Sequence, residues 1–204
     1  MKISINDKTL DRLNNLEIRF SIIVNDLVKR SVKKAALGGK TWQITPDTIP
    51  SSDNNHALLS CVEKIITDEE HEVRVVLNNK NSYEMCHFNH RDIVKLLGTK
   101  KDLFAEGDLK KIQDMGDKFT KILLSVIKTI IDEASPSSQI VEIDSISLCD
   151  PLCTDLYETS FLEVANIYFN EDTNKVMVTL SNKNEKAAEN LTHYDLLQII
   201  QEIA

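Results

Sequence analysis

The feature that most constrains this chain is an internal repeat. Displaced by 103 positions, residues 72–97 lie without a gap on residues 175–200. Val73, Val75 and Leu77 fall on Val176, Val178 and Leu180, and Asn79, Lys80 and Asn81 on Asn182, Lys183 and Asn184. His90 and Asp92 fall on His193 and Asp195. These are eight identities in one window, where unrelated sequence gives on the order of two. The apolar residues Ile93, Val94, Leu96 and Leu97 meet Leu196, Leu197, Ile199 and Ile200. The same displacement carries Leu16, Phe20, Ile23, Val24, Leu27 and Val28 onto Phe119, Leu123, Val126, Ile127, Ile130 and Ile131. The expected architecture is therefore a tandem duplication, residues 1–101 and 102–204, forming an internal pseudo-dimer.

Periodicity supplies the elements of each repeat. Leu13, Leu16, Phe20, Ile23 and Leu27 recur at spacings of three and four, which predicts one apolar face on a helix over residues 7–37. Asn6 or Asp7 can cap its start, cations gather in its last turns, and Gly38-Gly39 ends it. In the second repeat Phe119, Ile122, Leu123, Val126, Ile127, Ile130 and Ile131 form the corresponding stripe, and Ser135-Pro136 stops it. Strands are predicted at 42–45, 58–67 and 73–77, and at 140–148, 161–169 and 176–180; a further strand is expected at 83–88, and one at 2–5 ahead of the first helix. Asn79-Lys80-Asn81 and Asn182-Lys183-Asn184 read as turns. Asn89 and Thr192, each three residues before an aspartate, predict the capped start of a terminal helix. Helices and strands segregate along each repeat, so the class is α+β.

Charge separates the two repeats. Residues 1–101 carry 16 Lys+Arg against 13 Asp+Glu, and residues 102–204 carry 8 against 19, within a net charge of -8. The basic group Lys29, Arg30, Lys33 and Lys34 ends the first long helix, while Asp132 and Glu133 end the second. Anions there oppose the helix dipole. The two ends are therefore candidate partner-binding surfaces of opposite sign.

The sequence argues against several common chemistries. Its five glycines stand at 38, 39, 98, 107 and 116, and none builds a phosphate-cradling loop or a dinucleotide fingerprint. No nucleophile elbow or zinc-protease helix motif occurs. Cys86 and His90 with Cys149 and Cys153 have ligand types suited to zinc, but Cys86 falls on Glu189 in the second repeat. Cys86 beside His87, with Asp92 near, could form a thiol–imidazole pair, but neighbours on a strand point to opposite faces. His90 and His193 are the histidines preserved between the repeats. Duplicated positions report what both folds need, so a structural role at the helix start is the stronger expectation. No metal, cofactor or catalytic residue is assigned.

The expected function is a non-enzymatic binding or assembly protein acting through protein–protein contacts or self-association: a scaffold, an adaptor, an immunity protein or a phage-type interaction protein. Nucleic-acid binding through the basic first repeat, with Lys40 and Trp42 nearby, is an alternative. A Cys/His hydrolase or zinc protein around Cys86 and His90 is another. The apolar run 122–131 is short and broken by Ser125, Lys128 and Thr129, so no membrane span is expected. No signal-like start is evident, and the expected location is cytoplasmic. Codon-like usage rich in Asn, Ile and Lys suggests an AT-rich genome, such as a phage or low-GC bacterium.

Overall fold

The computed structural model describes residues 5–35, 41–46, 61–68, 73–134, 140–148, 154–155, 158–159 and 162–204. Among them are four α-helices and two separate four-stranded antiparallel sheets, so the fold is α+β. Helix α1 (Asp7–Ala35) is followed by β1 (Thr41–Ile44), β2 (Val62–Asp68), β3 (Arg74–Leu77), β4 (Ser82–Glu84) and α2 (His90–Gly98). Helix α3 (Glu106–Ala134) then leads to β5 (Ile140–Leu148), a small hairpin of β6 (Thr154–Asp155) and β7 (Glu158–Thr159), β8 (Leu162–Asn170), β9 (Lys175–Leu180), β10 (Glu185–Ala187) and α4 (His193–Ile203). The first sheet runs β1-β2-β3-β4 and the second β5-β8-β9-β10.

The chain divides into two compact units that do not follow the halves of the sequence. One comprises Ile18–Asp117, and the other Met1–Glu17 with Lys118–Ala204. Both long helices are thus divided: α1 gives its first turns to one unit and its remainder to the other, and α3 does the reverse. The Ile18–Asp117 unit has a core of Phe20, Val24, Val28 and Val32 from α1, Ile65, Val75 and Leu77 from the sheet, Ile93, Leu96 and Leu97 from α2, and Leu109 and Ile112 from α3. In the other unit Leu13 joins Phe119, Leu123, Ile127 and Ile131 from α3, Val164, Ile167, Val178 and Leu180 from the sheet, and Leu196, Ile199 and Ile200 from α4.

Matching local turn geometry recurs at a displacement of 103 residues. Leu77 N–H donates to Asn81 O and Lys80 N–H to Leu77 O; Leu180 N–H donates to Asn184 O and Lys183 N–H to Leu180 O. In each turn the first Asn side chain accepts from the amide two residues on, at 3.0 Å. Lys80 and Lys183 both take a left-handed conformation, with φ of 72° and 65°. This suits the twist of a hairpin, at the steric cost of a side chain where glycine would be unstrained. The register also shifts by one residue at Glu63 in β2 and at Ala165 in β8, one position off the 103-residue displacement.

The structure corrects several sequence expectations. Residues 83–88 are not one strand: β4 ends at Glu84 and a 3-10 turn spans Met85–His87, with a second at Ala188–Asn190. These turns bury Met85 and Ala188 under their sheets. On α1, Leu13, Phe20 and Leu27 are buried as expected, but Leu16 and Ile23 are exposed, and Val24, Val28 and Val32 complete the buried face. On α3, Ile122 is likewise exposed. A seven-residue spacing finds a helix face reliably, whereas the flanking positions depend on what packs against it. Residues 2–4, Gly38-Gly39, the loop from Asp47, the acidic turn 69–72 and Ser135-Pro136 lie outside the described residues. No helix of the described residues is long and apolar enough to cross a membrane.

Candidate functional site

His90 and His193, which match at the 103-residue displacement, open α2 and α4, and each is buried. Their backbones are set by the capping residues before them. Asn89 is extended, and its side-chain oxygen accepts from Arg91 N–H at 2.9 Å. Thr192 makes the fuller arrangement: its hydroxyl accepts from Asp195 N–H at 3.0 Å, and the Asp195 carboxylate accepts from Thr192 N–H at 3.3 Å. These bonds satisfy amides that the first helical turn cannot.

His90 sits in a polar corner of the Ile18–Asp117 unit. Its Nε2–H donates to Asp117 Oδ1 at 3.0 Å, and the ring stands edge-on to Phe20 at 6.3 Å between centroids. Arg91 Nε donates to the same oxygen at 3.0 Å, and Gln113 Nε2 to the other at 3.0 Å. Burial alone would push the Asp117 carboxyl up, but the bonds from Gln113, His90 and Arg91 outweigh it and bring its pKa down to about 2. Burial pushes His90 below the usual imidazole range, and the Asp117 carboxylate only partly offsets it. The two shifts agree on one species, a neutral imidazole donating from Nε2 to a carboxylate.

Gly116 makes this corner sterically accessible. A Cβ there would lie 2.3 Å from His90 Cδ2 and 2.4 Å from Cγ. These atoms are the buried root of the ring and cannot swing away. A glycine in the interior of a long helix costs about 1 kcal/mol relative to alanine, and here that cost admits the imidazole.

His193 is held otherwise. Its Nε2 shares a hydrogen bond with Thr120 Oγ1 at 3.0 Å, and its ring lies tilted on Phe119 at 4.6 Å. Both histidines thus bond to α3, at sequence separations of 27 and 73. The expectation of a structural role at the helix start fits their burial, but the partners are distant in sequence rather than local. Asp117, Gln113 and Gly116 were not singled out in the sequence. The isolated glycine inside a helical pattern was the one signal available.

The other candidates do not converge on a reactive centre among the described residues. Cys86 and His87 share the 3-10 turn Met85–His87 rather than an extended strand; His87 lies edge-on to Tyr83. The side chain of Cys86, and all of Cys149, Cys153 and Lys40, lie outside what is described, as does the side chain of Trp42. Among the described residues no group of three or more His, Cys, Asp or Glu could hold a metal ion.

The charged helix ends are partly explained by local pairs. Lys33 and Lys34 lie in the last turn of α1, and Arg30 Nε donates to Asp26 O at 3.1 Å. On α3, Asp132 is paired with Lys128 one turn earlier at 2.8 Å. Lys128 also lies over the Phe169 ring at 4.1 Å. The acidic end therefore has a local partner that the dipole argument from sequence omitted. Glu133 is exposed beside it.

The sequence also gave no warning of the apolar side chains facing outward on α1. Ile18 and Ile22 are each 53% exposed, one helical turn apart. At the positions displaced by 103, α3 carries Lys121 and Ser125, both exposed. The exposed Met115 and Ile122 of α3 correspond in turn to Arg12 and Arg19. The other long helix thus carries polar residues at each of the positions displaced by 103. Comparison with family models, with curated proteins and with solved structures finds no match to this chain.

Proposed function

We propose that this protein is a tandem duplication of one α+β repeat, residues 1–101 and 102–204, and that it works as a non-enzymatic binding and assembly protein in the cytoplasm. The observation that carries the reading is the apolar pair Ile18 and Ile22 on the solvent side of α1, where the related helix has Lys121 and Ser125. Single exposed apolar residues are ordinary, but a pair on one helical turn that the fold does not need favours a surface covered by another protein. The basic residues Lys29, Arg30, Lys33 and Lys34 lie further along the same helix and, like the acidic Asp132 and Glu133 of the other long helix, offer charge that can select a partner's orientation. The turns and 3-10 segments that recur at the 103-residue displacement support the duplication.

The test copies the second repeat into the first. Ile18→Lys with Ile22→Ser should leave the fold intact, since α3 carries that pair. It should also weaken whatever association the wild type makes, by about tenfold or more. Association is read by sedimentation velocity of the purified protein and by affinity capture from extract of its native host. If neither self-association nor any captured protein responds to the double variant, this reading fails. Salt-sensitive binding to nucleic acid that is lost when Lys29 and Lys33 become Glu would replace it with the nucleic-acid alternative.

A further inference from the structure

The open face of the second sheet carries an apolar row where the first sheet carries charge. Ile140, Tyr168, Met177 and Ala187 are paired in turn across β5, β8, β9 and β10. Val176 and Val178 on either side of Met177 are buried in the core, so alternation along the strand turns Met177 and its row the other way. Ile140 is 48% exposed, and Tyr168, Met177 and Ala187 are half-buried. Two residues along, the row Glu142, Asn166, Thr179 and Glu185 shares that face and ends in exposed carboxylates. Glu185 Oε1 also accepts from the Tyr168 hydroxyl at 2.9 Å, which holds the ring in place. In the first sheet the row paired in the same way reads Gln43, Ile66, Arg74 and Glu84. There Arg74 bonds Ser82 and lies 4.0 Å from Glu84, so that row balances its own charge.

The matching chemistry lies on α1, within the Ile18–Asp117 unit. Ile18, Ile22 and Ile23 are exposed there, and so are Arg19, Arg30 and Lys33. Positions 19, 22, 23, 26, 30 and 33 keep the three- and four-residue spacing of one helical face, and the exposed Asp26 is its single acid. One surface is therefore apolar with basic surroundings, and the other apolar with acidic surroundings.

We propose that this face of α1 docks on the open face of the β5-β8-β9-β10 sheet of a second copy of the chain. The isoleucines cover Tyr168 and Met177, and the cations meet Glu142 and Glu185. A helix laid on a sheet is one of the few stable layer arrangements. The sizes agree, since residues 18–33 span about 24 Å as a helix and the nine residues of β8 about 30 Å as a strand. The two faces differ, so the contact is head-to-tail and passes from copy to copy unless a ring closes. Pairing α1 with α1, or sheet with sheet, would set like charge on like, which disfavours both alternatives.

This inference rests on the proposed role in protein contacts and commits it to one partner, a second copy. Sedimentation equilibrium of the full chain at low salt is expected to show concentration-dependent association, weakened at high salt. Two variants each spoil one face. Ile18→Lys with Ile22→Ser alters α1, and Met177→Arg with Ala187→Glu gives the second sheet the cross-strand pair that Arg74 and Glu84 make in the first. Each variant alone should weaken self-association by about tenfold or more, with circular dichroism confirming that the chain still folds. Mixed in equal amounts, the two should form a one-to-one complex that grows no further, because one brings an intact sheet face and the other an intact α1 face. A mixture that stays monomeric while the wild type associates overturns the proposal, as does a sheet variant that associates like the wild type. A wild-type protein that stays monomeric at several hundred micromolar overturns it as well. If such a monomer captures a host protein that the isoleucine variant loses, the second copy is excluded and the partner-binding role stands; if neither variant changes what is captured, both readings fall.

Discussion

His90 and His193 open α2 and α4 and are both buried, yet they are held by unlike chemistry. His90 has a carboxylate, a guanidinium and an amide around it through Asp117, Arg91 and Gln113, and a glycine beneath it. His193 has a hydroxyl and a phenyl ring. At the positions displaced by 103, Gly116 corresponds to Leu13, Asp117 to Asn14, Gln113 to Leu10 and Arg91 to Tyr194. The change of one small residue for Leu13, which is itself buried in the core, goes with the exchange of a charged corner for an apolar one. The same helix-start position therefore takes unlike partners, and the neighbours of His90 set its ionisation.

The most severe test of this comparison is Gly116→Ala. The added methyl must displace the buried imidazole, and the variant should lose about 2–3 kcal/mol despite the gain in helix propensity. Chemical denaturation measures it. Leu13 already shows that the related position accepts a larger side chain when the histidine is held elsewhere. A stable Gly116→Ala protein would mean that His90 can relocate as His193 has.

Asp117→Asn probes the charge. Arg91 and His90 lose their acceptor anion at a site only partly shielded from water, so about 1 kcal/mol is expected at neutral pH. The pH dependence is the sharper readout. His90 is lowered in the folded protein, so the unfolded chain binds its proton first. Stability should fall as pH drops below the unfolded imidazole value of about 6.5 and level off below the folded value. Removing the carboxylate lowers the folded value further and should carry that loss to lower pH. Asp117 itself, at about 2 when folded, contributes stability that is complete above its unfolded value and lost as pH falls through the folded one. Denaturation midpoints from pH 7 to pH 4 for the wild type and Asp117→Asn should diverge toward acid, and parallel curves would sever His90 from Asp117.

Thr192→Ala tests the opposite unit, where the cap rather than the carboxylate orders the histidine. Loss of the hydroxyl acceptor for Asp195 N–H should cost about 1 kcal/mol. Asn89→Ala, which removes the acceptor for Arg91 N–H, should cost no more than this; a larger loss would reverse the ranking of the two caps. The smallest effect belongs to the turns. Lys183→Gly relieves a left-handed side chain at φ of 65° and should stabilise by about 0.5–1 kcal/mol. The same change at Lys80 should gain less, because Lys80 also pairs with Glu63.

The course of the chain was largely legible from local signals. Asn6 accepts from Lys8 N–H at the start of α1, and Asn89 and Thr192 cap where the sequence placed them. The turns at Asn79 and Asn182 form as read. The predicted buried residues of α4 are all buried, because a short helix against one sheet has only one covered face. The long helices were harder. Leu16, Ile23 and Ile122 continue an apolar pattern but point outward, since the covered side of each long helix is set by elements far away in sequence. Residues 83–88 alternate like a strand yet close into a 3-10 turn, where tertiary burial of Met85 outweighs β propensity.

The sequence by itself determined the α+β class, the long and terminal helices, the main strands, the two Asn-Lys-Asn turns and the helix starts. Each depends on interactions within a few residues, where side-chain pattern and backbone preference act directly. Only the tertiary structure decided that the compact units divide at 17/18 and 117/118, within the two long helices. It alone placed His90 on Asp117 and His193 on Thr120, across separations of 27 and 73 residues. And it alone left Ile18 and Ile22 uncovered. Burial and ionisation follow from which surfaces meet, and that is fixed by packing between distant segments rather than by the pattern along any one of them.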